Sequence, residues 1–224
     1  MRPDALLARI RSFLAALLLA TGAAVAAAPP AAVAEEGVRA YEAGEFATAA
    51  ALFERAARAG NRLAQFNYAM MLYRGETPAR ESGAEWRWLR RAATAGLAEA
   101  QYAFGYLYDR GQGVERLPTT AARWYQHAAR QGHVEAQVAL ASMYFIGQGV
   151  ARDDAESARW YLAAARAGHA GAQYIVGSLY ERGEGMPQDM RLALHWYEQA
   201  ARQGDVIAQE KARALSGDAP PAGE

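Results

Sequence analysis

Apolar residues recur along most of the chain at the spacing of amphipathic helices. Segment 99–110 shows this clearly, with one apolar face formed by Ala100, Phe104, Leu107 and Tyr108. The segment from 119 to 131 carries another apolar face, formed by Ala121, Trp124, Tyr125, Ala128 and Ala129. No segment alternates apolar and polar residues over the length of a strand, so the pattern predicts an all-α protein without a sheet.

The helical pattern returns every 36 residues. Several columns keep this step, and one of them is an Ala-Gln pair that begins at Ala64, Ala100, Ala136, Ala172 and Ala208. A glycine column comprises Gly60, Gly96, Gly132, Gly168 and Gly204, and a tryptophan column comprises Trp88, Trp124, Trp160 and Trp196. Because two short helices cannot bury their apolar faces alone, the period predicts stacked helix-turn-helix units, which is an α-solenoid.

Small residues indicate where these helices approach each other closely. Gly105 and Gly177 lie in the middle of first helices, although glycine there costs about 1 kcal/mol relative to alanine. We expect both to face a neighbouring helix, with the tryptophan column and a tyrosine column filling the remaining volume. Gly111 ends the first helix of its unit, and Thr119 or Thr120 is expected to cap the second.

The first 26 residues differ from the rest. Three arginines precede a short apolar run at 12–20, and small residues follow, which is typical of a secretory signal peptide. The preferred cleavage site follows 24–26, and a second candidate follows 32–34. The alternative is an uncleaved anchor, although the apolar run is shorter than the roughly 20 residues that span a bilayer. The segment predicts an exported protein, either periplasmic or secreted, without a membrane span after cleavage.

The repeat pattern resembles the Sel1-like repeat (SLR) family, a relative of the tetratricopeptide repeat. The third repeat reads AQVALASMYFIGQGVARDDAESARWYLAAARAGHAGAQ, and the fourth reads AQYIVGSLYERGEGMPQDMRLALHWYEQAARQG. The resemblance covers about 60–214 and implies a right-handed α-solenoid, while 35–60 looks like a plain tetratricopeptide unit. Family members described as β-lactamase-like carry a disulfide in every repeat, and this chain has no cysteine.

These signals divide the chain into a signal peptide at 1–26, a linker at 27–34, a tetratricopeptide-like unit at 35–60, four repeats at 61–96, 97–132, 133–168 and 169–204, a C-terminal capping helix at 205–215 and a disordered tail at 216–224.

The polar residues give no candidate for chemistry. His133 and His169 occupy one column directly before a helix, so we interpret them as capping or packing residues and not as metal ligands. Asp153, Asp154 and Asp189 begin second helices, where a carboxylate favours the positive end of the helix dipole, and we interpret them as caps. The sequence therefore predicts no enzyme, no cofactor and no metal.

The resemblance places a binding surface on the first helices, which line the concave face of tetratricopeptide-like stacks. The residues on this face vary between repeats, and tyrosine and arginine are enriched among interface anchors. The candidates are Phe66, Met70, Tyr73, Arg74, Tyr102, Tyr106, Asp109, Arg110, Phe145, Tyr174, Glu181 and Arg182. A solvent-exposed face without a partner also varies between repeats, because no contact constrains its residues. The two interpretations, a binding surface and a merely solvated face, stay open.

Composition narrows the function further. The chain of 224 residues has 24 basic and 24 acidic residues, so its formal net charge is zero. A general nucleic-acid binder carries an excess of basic residues, which this chain lacks. The leading hypothesis is a non-enzymatic scaffold or adaptor of the bacterial cell envelope that binds a protein segment in the concave groove. The alternative is a module that binds cell-wall glycan or peptide (peptidoglycan), because tyrosine faces and arginines suit sugars and carboxylates.

Overall fold

The structure, a computed structural model, describes residues 28–77 and 83–217. These ranges form eleven α-helices and no strand, which confirms the all-α prediction. The helices are α1 (Pro30–Glu42), α2 (Phe46–Arg58), α3 (Arg62–Tyr73), α4 (Ala84–Thr94), α5 (Ala98–Arg110), α6 (Pro118–Arg130), α7 (Val134–Ile146), α8 (Asp154–Arg166), α9 (Ala170–Arg182), α10 (Met190–Arg202) and α11 (Val206–Ser216). The predicted signal peptide lies outside the described residues, as does 218–224 of the predicted tail.

The helices pair as the 36-residue period predicts. Helices α3 and α4 form the first repeat, and three further pairs end with α10, so the solenoid of helix-turn-helix repeats is confirmed. The N-terminal pair α1 and α2 precedes them, and α11 follows as a single helix. Helix α1 already begins at Pro30, so most of the segment expected to be a linker at 27–34 is the first turn of a helix. The chain divides into two compact units between Ala92 and Ala93, named here unit 1 and unit 2.

The first helices share one type of N-cap at the 36-residue step. In three repeats and before α11, a side chain at this position accepts a hydrogen bond from the backbone N–H three residues later. The capping residues are Asn61, His133, His169 and Asp205. In the same column, Leu97 precedes α5 without a side-chain cap. The cap column explains why both histidines fall directly before a helix.

Two of the second helices have aspartate N-caps of the same type. Asp153 accepts the N–H of Glu156 at 2.9 Å, and Asp189 caps α10, which confirms their predicted roles. The predicted cap at Thr119 or Thr120 is wrong, since α6 begins at Pro118 with no side-chain cap. Proline suits the first helical turn because its φ is preset and its missing N–H has no partner there, so the helix begins earlier than expected.

The mid-helix glycines allow aromatic rings of the neighbouring helix to approach closely, as expected. A Cβ atom on Gly105 would lie 2.8 Å from Cδ1 of Tyr125, and one on Gly177 would lie 2.8 Å from Cδ1 of Tyr197. Both tyrosines are fully buried, whereas three of the four column tryptophans are half-buried and only Trp160 is buried. In three repeats the residue after the tryptophan is therefore more buried than the tryptophan, although the sequence analysis predicts that the tryptophan and tyrosine columns fill the core.

The Ala-Gln column has a hydrogen-bonding role. In the four repeats and in α11, the glutamine Nε2 donates to a carbonyl oxygen eight residues earlier, at the end of the preceding second helix, at 3.1 to 3.4 Å. The donors are Gln65, Gln101, Gln137, Gln173 and Gln209. Because the last carbonyl groups of a helix lack partners within the helix, each glutamine joins one repeat to the next.

Candidate functional site

Two of the predicted binding residues are part of the core. Phe66 is 3% exposed and Tyr102 is 5% exposed, so neither side chain is available to a partner. The Tyr102 ring stacks on the imidazole of His133 with centroids 4.6 Å apart. The resemblance implies that both lie on the binding face. In the structure, the repeat position that they share packs against neighbouring side chains. We therefore exclude Phe66 and Tyr102 from the candidate site.

In unit 1, the candidate Arg74 belongs to a polar cluster, and the candidate Tyr73 belongs to an aromatic pair. The Arg74 guanidinium donates to the Tyr41 hydroxyl at 2.7 Å, and that hydroxyl donates to Glu76 at 3.0 Å. Burial is the main reason that the pKa of Tyr41 is raised, so the hydroxyl stays protonated. Tyr73 is exposed, and its ring centroid lies 5.6 Å from that of Trp86. Met70 lies half-buried on the same helix.

In unit 2, Glu181 is the centre of a network that the sequence did not reveal. Its carboxylate accepts a 2.5 Å hydrogen bond from the Tyr197 hydroxyl and contacts of 2.9 and 3.0 Å from Lys211 Nζ. These two partners hold the pKa of Glu181 below its usual value, with Tyr197 the larger influence. Burial and the neighbouring carboxylate raise the pKa of Tyr197. Glu181 thus ties α10 and α11 to α9.

The other candidates in unit 2 are half-buried or exposed. Asp109 accepts a 2.7 Å hydrogen bond from Gln148, which joins the end of α5 to the loop of the next repeat. The Arg110 guanidinium lies 5.6 Å from the centroid of the half-buried Tyr106 ring. The rings of Tyr174 and Tyr197 lie 5.6 Å apart.

The next two candidates end their helices at the surface. Phe145 is exposed at the end of α7, and Arg182 is exposed at the end of α9. Arg182 donates to Ser178 at 2.5 Å. The accessible candidates of unit 2 therefore concentrate at the C-terminal ends of the first helices.

The histidines have the structural role that the sequence predicts. Nδ1 of His133 accepts the N–H of Ala136 at 3.2 Å, and Nδ1 of His169 accepts the N–H of Ala172 at 3.0 Å. Burial lowers the pKa of His133, which favours the neutral ring that capping requires. Among the residues that the structure describes, no three histidine or carboxylate side chains are arranged to hold a metal ion.

Within the described ranges, no helix has both the length and the apolar character that a bilayer crossing requires. The repeated helix pairs and their variable, partly exposed ends define a helical-repeat scaffold.

The family follows from comparison with known proteins. The Sel1 repeat model matches residues 40–61, 62–97, 98–133, 134–169 and 170–205, which is more than half of the chain. The chain therefore belongs to the Sel1 repeat family, as the sequence analysis predicts. Sel1 repeat proteins are generally scaffolds for protein–protein interaction, and their fold is generally non-enzymatic.

Two solved structures illustrate the similarity. A protective antigen of uropathogenic Escherichia coli with an SLR fold shares 34% identity over 85% of this chain, with a TM-score of 0.77. The chain covers only 42% of the length of that antigen. A Sel1 repeat protein from Oxalobacter formigenes shares 28% identity, with a TM-score of 0.68, over 83% of this chain and 76% of its own. No curated protein matches the sequence significantly.

Proposed function

We propose that this protein is a non-enzymatic, exported adaptor of the bacterial cell envelope that binds a segment of another protein. One observation carries the proposal: the end of α7 exposes Phe145 and Ile146, although the core columns of the same repeat are fully packed. Exposed large apolar side chains beside arginine are typical of interface anchors. The general scaffold role of the family supports a protein partner.

Two observations support export. The sequence of residues 1–26 has the composition of a signal peptide. The E. coli relative is described as a protective antigen, and an antigen that protects is one that host antibodies or cells encounter. The test is fractionation of the native host followed by N-terminal sequencing. A mature protein that begins near Ala27 or Glu35 supports export, whereas a cytoplasmic protein that retains Met1 contradicts it.

A glycan-binding role is the second candidate, and unit 1 favours it. The exposed Tyr73 ring and the neighbouring Trp86 ring form an aromatic pair at the end of α3. Aromatic faces bury the apolar surfaces of sugar rings. The two candidate functions thus depend on different residues in different units.

An envelope extract separates the two candidates. The wild type, Phe145→Ser and Tyr73→Ala are immobilised, and both bound proteins and sedimented peptidoglycan are measured. Protein capture that Phe145→Ser abolishes and Tyr73→Ala leaves intact supports the adaptor. Peptidoglycan sedimentation that Tyr73→Ala abolishes supports the alternative. The control is Val206→Ser, which removes an apolar side chain of α11 that is 64% exposed, against 43% for Phe145.

A further inference from the structure

Helix α11 repeats the first helix of a unit, and no second helix follows it within the described residues. It keeps the repeat columns, since Ala208 is fully buried and Nε2 of Gln209 donates to the Ala201 carbonyl oxygen at 3.4 Å. A shallow groove runs between α10 and α11 on the side where the next helix of the array would pack. We call it the C-terminal groove, and its lining residues are Glu198, Ala201, Arg202, Gln209, Ala212 and Arg213.

The positions that line this groove are covered in the preceding repeat. Ala165 is 1% exposed and Val176 is 0% exposed. Their equivalents one repeat later, Ala201 and Ala212, are half-buried. The helix that packs against α9 in the preceding repeat is α10, and α11 has no such neighbour among the described helices. The C-terminal groove is therefore a vacant helix position of the repeat, and α10 shows what kind of helix covers such a position.

Helix α10 covers its position with an apolar stripe and one terminal hydrogen bond. Directly after α10, Nε2 of Gln203 donates to Oε1 of Gln173 at 2.7 Å. Gln209 is the equivalent of Gln173, and within the described residues its Oε1 accepts no hydrogen bond, so the same kind of donor can reach it. The residues of the stripe are all fully buried, and they are Ala193, Tyr197 and Ala200.

One residue distinguishes the C-terminal groove from the equivalent surface of α9. A Cβ atom on Gly177 would lie 2.8 Å from Cδ1 of Tyr197, so the tyrosine ring needs a small residue beneath it. The equivalent residue of α11 is Arg213, which is exposed and forms no ion pair within the described residues. The other charged lining residues, Arg202 and Glu198, lie 3.6 Å from each other. An unpaired guanidinium thus replaces the small residue on which a tyrosine packs.

We propose that the C-terminal groove binds an α-helix of another protein that has the alanine stripe of the second helices but carries an acidic side chain in place of their tyrosine. The stripe covers Ala201 and Ala212, as α10 covers their equivalents on α9. The carboxylate pairs with Arg213, because a guanidinium binds a planar carboxylate through two parallel hydrogen bonds. Docking of a helix into an apolar groove is a common mode of recognition. This surface goes beyond the proposed adaptor function, because it uses neither Phe145 nor Ile146.

Three synthetic peptides test the chemistry of the partner helix. The tyrosine peptide has the sequence of residues 189–203, and the other two carry Tyr197→Glu or Tyr197→Gln. A lactam bridge between the positions of Arg191 and His195, which face solvent in α10, holds each short peptide helical. Binding to the full chain is measured by fluorescence anisotropy. We expect the glutamate peptide to bind about five- to tenfold more tightly than the glutamine peptide, with a difference that shrinks as salt rises.

A matched pair of variants locates the site. Arg213→Ala restores the small residue that Ala141 provides in the third repeat, so the preference for glutamate should disappear and the tyrosine peptide should bind most tightly. Arg166→Ala removes an exposed arginine from the end of α8 and is the control, which should keep the wild-type order of the three peptides. The reversal separates a specific pairing from general attraction between an acidic peptide and the chain.

Four outcomes overturn the inference. The first is equal binding of the glutamate and glutamine peptides to the wild type, and the second is a preference for glutamate that persists in Arg213→Ala. In the third, only a variant that ends at Gly217 binds the peptides, so that 218–224 occupies the groove. In the fourth, sedimentation shows a wild-type dimer that the glutamate peptide dissociates, so that a second copy occupies it. The adaptor function is judged separately, because the envelope extract tests it through Phe145→Ser.

Discussion

The amide Nε2 of Gln131 donates a 2.7 Å hydrogen bond to Oε1 of Gln101. The same bond joins Gln203 to Gln173, again across 30 residues. In the repeat between them, the position equivalent to Gln131 is Ala167, and Oε1 of Gln137 has no hydrogen-bond partner among the described residues. The glutamine pairing therefore occurs in alternate repeats of unit 2.

Ala167→Gln should stabilise the protein. Ala167 has nearly the same backbone conformation as Gln131, with φ and ψ of −77° and 2° against −87° and 2°, so the new amide should reach Gln137. One added hydrogen bond contributes about 0.5–1.5 kcal/mol to the free energy of unfolding. Urea denaturation measures the change, and Gln131→Ala should shift the midpoint in the opposite direction. A destabilised Ala167→Gln variant would contradict the pairing.

Gly105→Leu should destabilise the protein by about 1–3 kcal/mol, because the side chain collides with the buried Tyr125 ring. Ala155→Leu, at an exposed position of α8, adds bulk without a buried contact and is the control. Thermal unfolding of both variants measures the difference. Leucine favours a helix more than glycine does, so a loss of stability can be attributed to the collision. A melting temperature equal to or above that of the wild type would contradict the predicted net loss.

Leu97→Asn should supply the cap that α5 lacks. Leu97 has extended N-cap geometry, with φ −75° and ψ 119°, close to that of Asn61, with φ −68° and ψ 111°. A side-chain cap contributes roughly 0.5–2 kcal/mol to the free energy of unfolding. Urea denaturation should show this gain, and Asn61→Ala should show a loss of similar size. No gain from Leu97→Asn would indicate that the Leu97 side chain stabilises the fold by packing.

His133 should make the fold sensitive to mild acid. Its pKa is lowered in the folded state by burial, against the opposing influence of Glu135 and Glu99. Because the unfolded chain binds the proton first, the contribution of His133 is fully present above its ordinary pKa of about 6.5 and declines as the pH falls below it. Protonation of Nδ1 also removes the acceptor for the Ala136 N–H.

The measurement is thermal unfolding of the wild type and His133→Asn at pH 7.5 and pH 5. Asparagine keeps a cap acceptor but does not titrate, so the variant should lose less stability in acid than the wild type. His169→Asn is the matched comparison, because His169 makes the same cap in the next repeat. Identical acid sensitivity of the wild type and His133→Asn would refute the assignment.

The sequence predicts the fold well because the repeat supplies the same evidence several times. The 36-residue columns locate the helices, the glycines that contact aromatic rings, and the aspartate and histidine caps. Each of these depends on residues that are close together in the chain. The cap of α6 was predicted wrongly because Pro118 competes with Thr119 for the start of the helix. Local chemistry thus explains both the correct and the incorrect predictions.

The candidate site was less predictable, because exposure depends on contacts between distant residues. Phe66 and Tyr102 share a repeat position with the half-buried Tyr174, and only packing against neighbouring helices distinguishes them. The bond between Lys211 and Glu181 spans 30 residues and follows no repeated motif. The sequence by itself determined the family, the period and the secondary structure. The tertiary structure decided which variable residues face solvent, because burial is set by the helices that stack against each face.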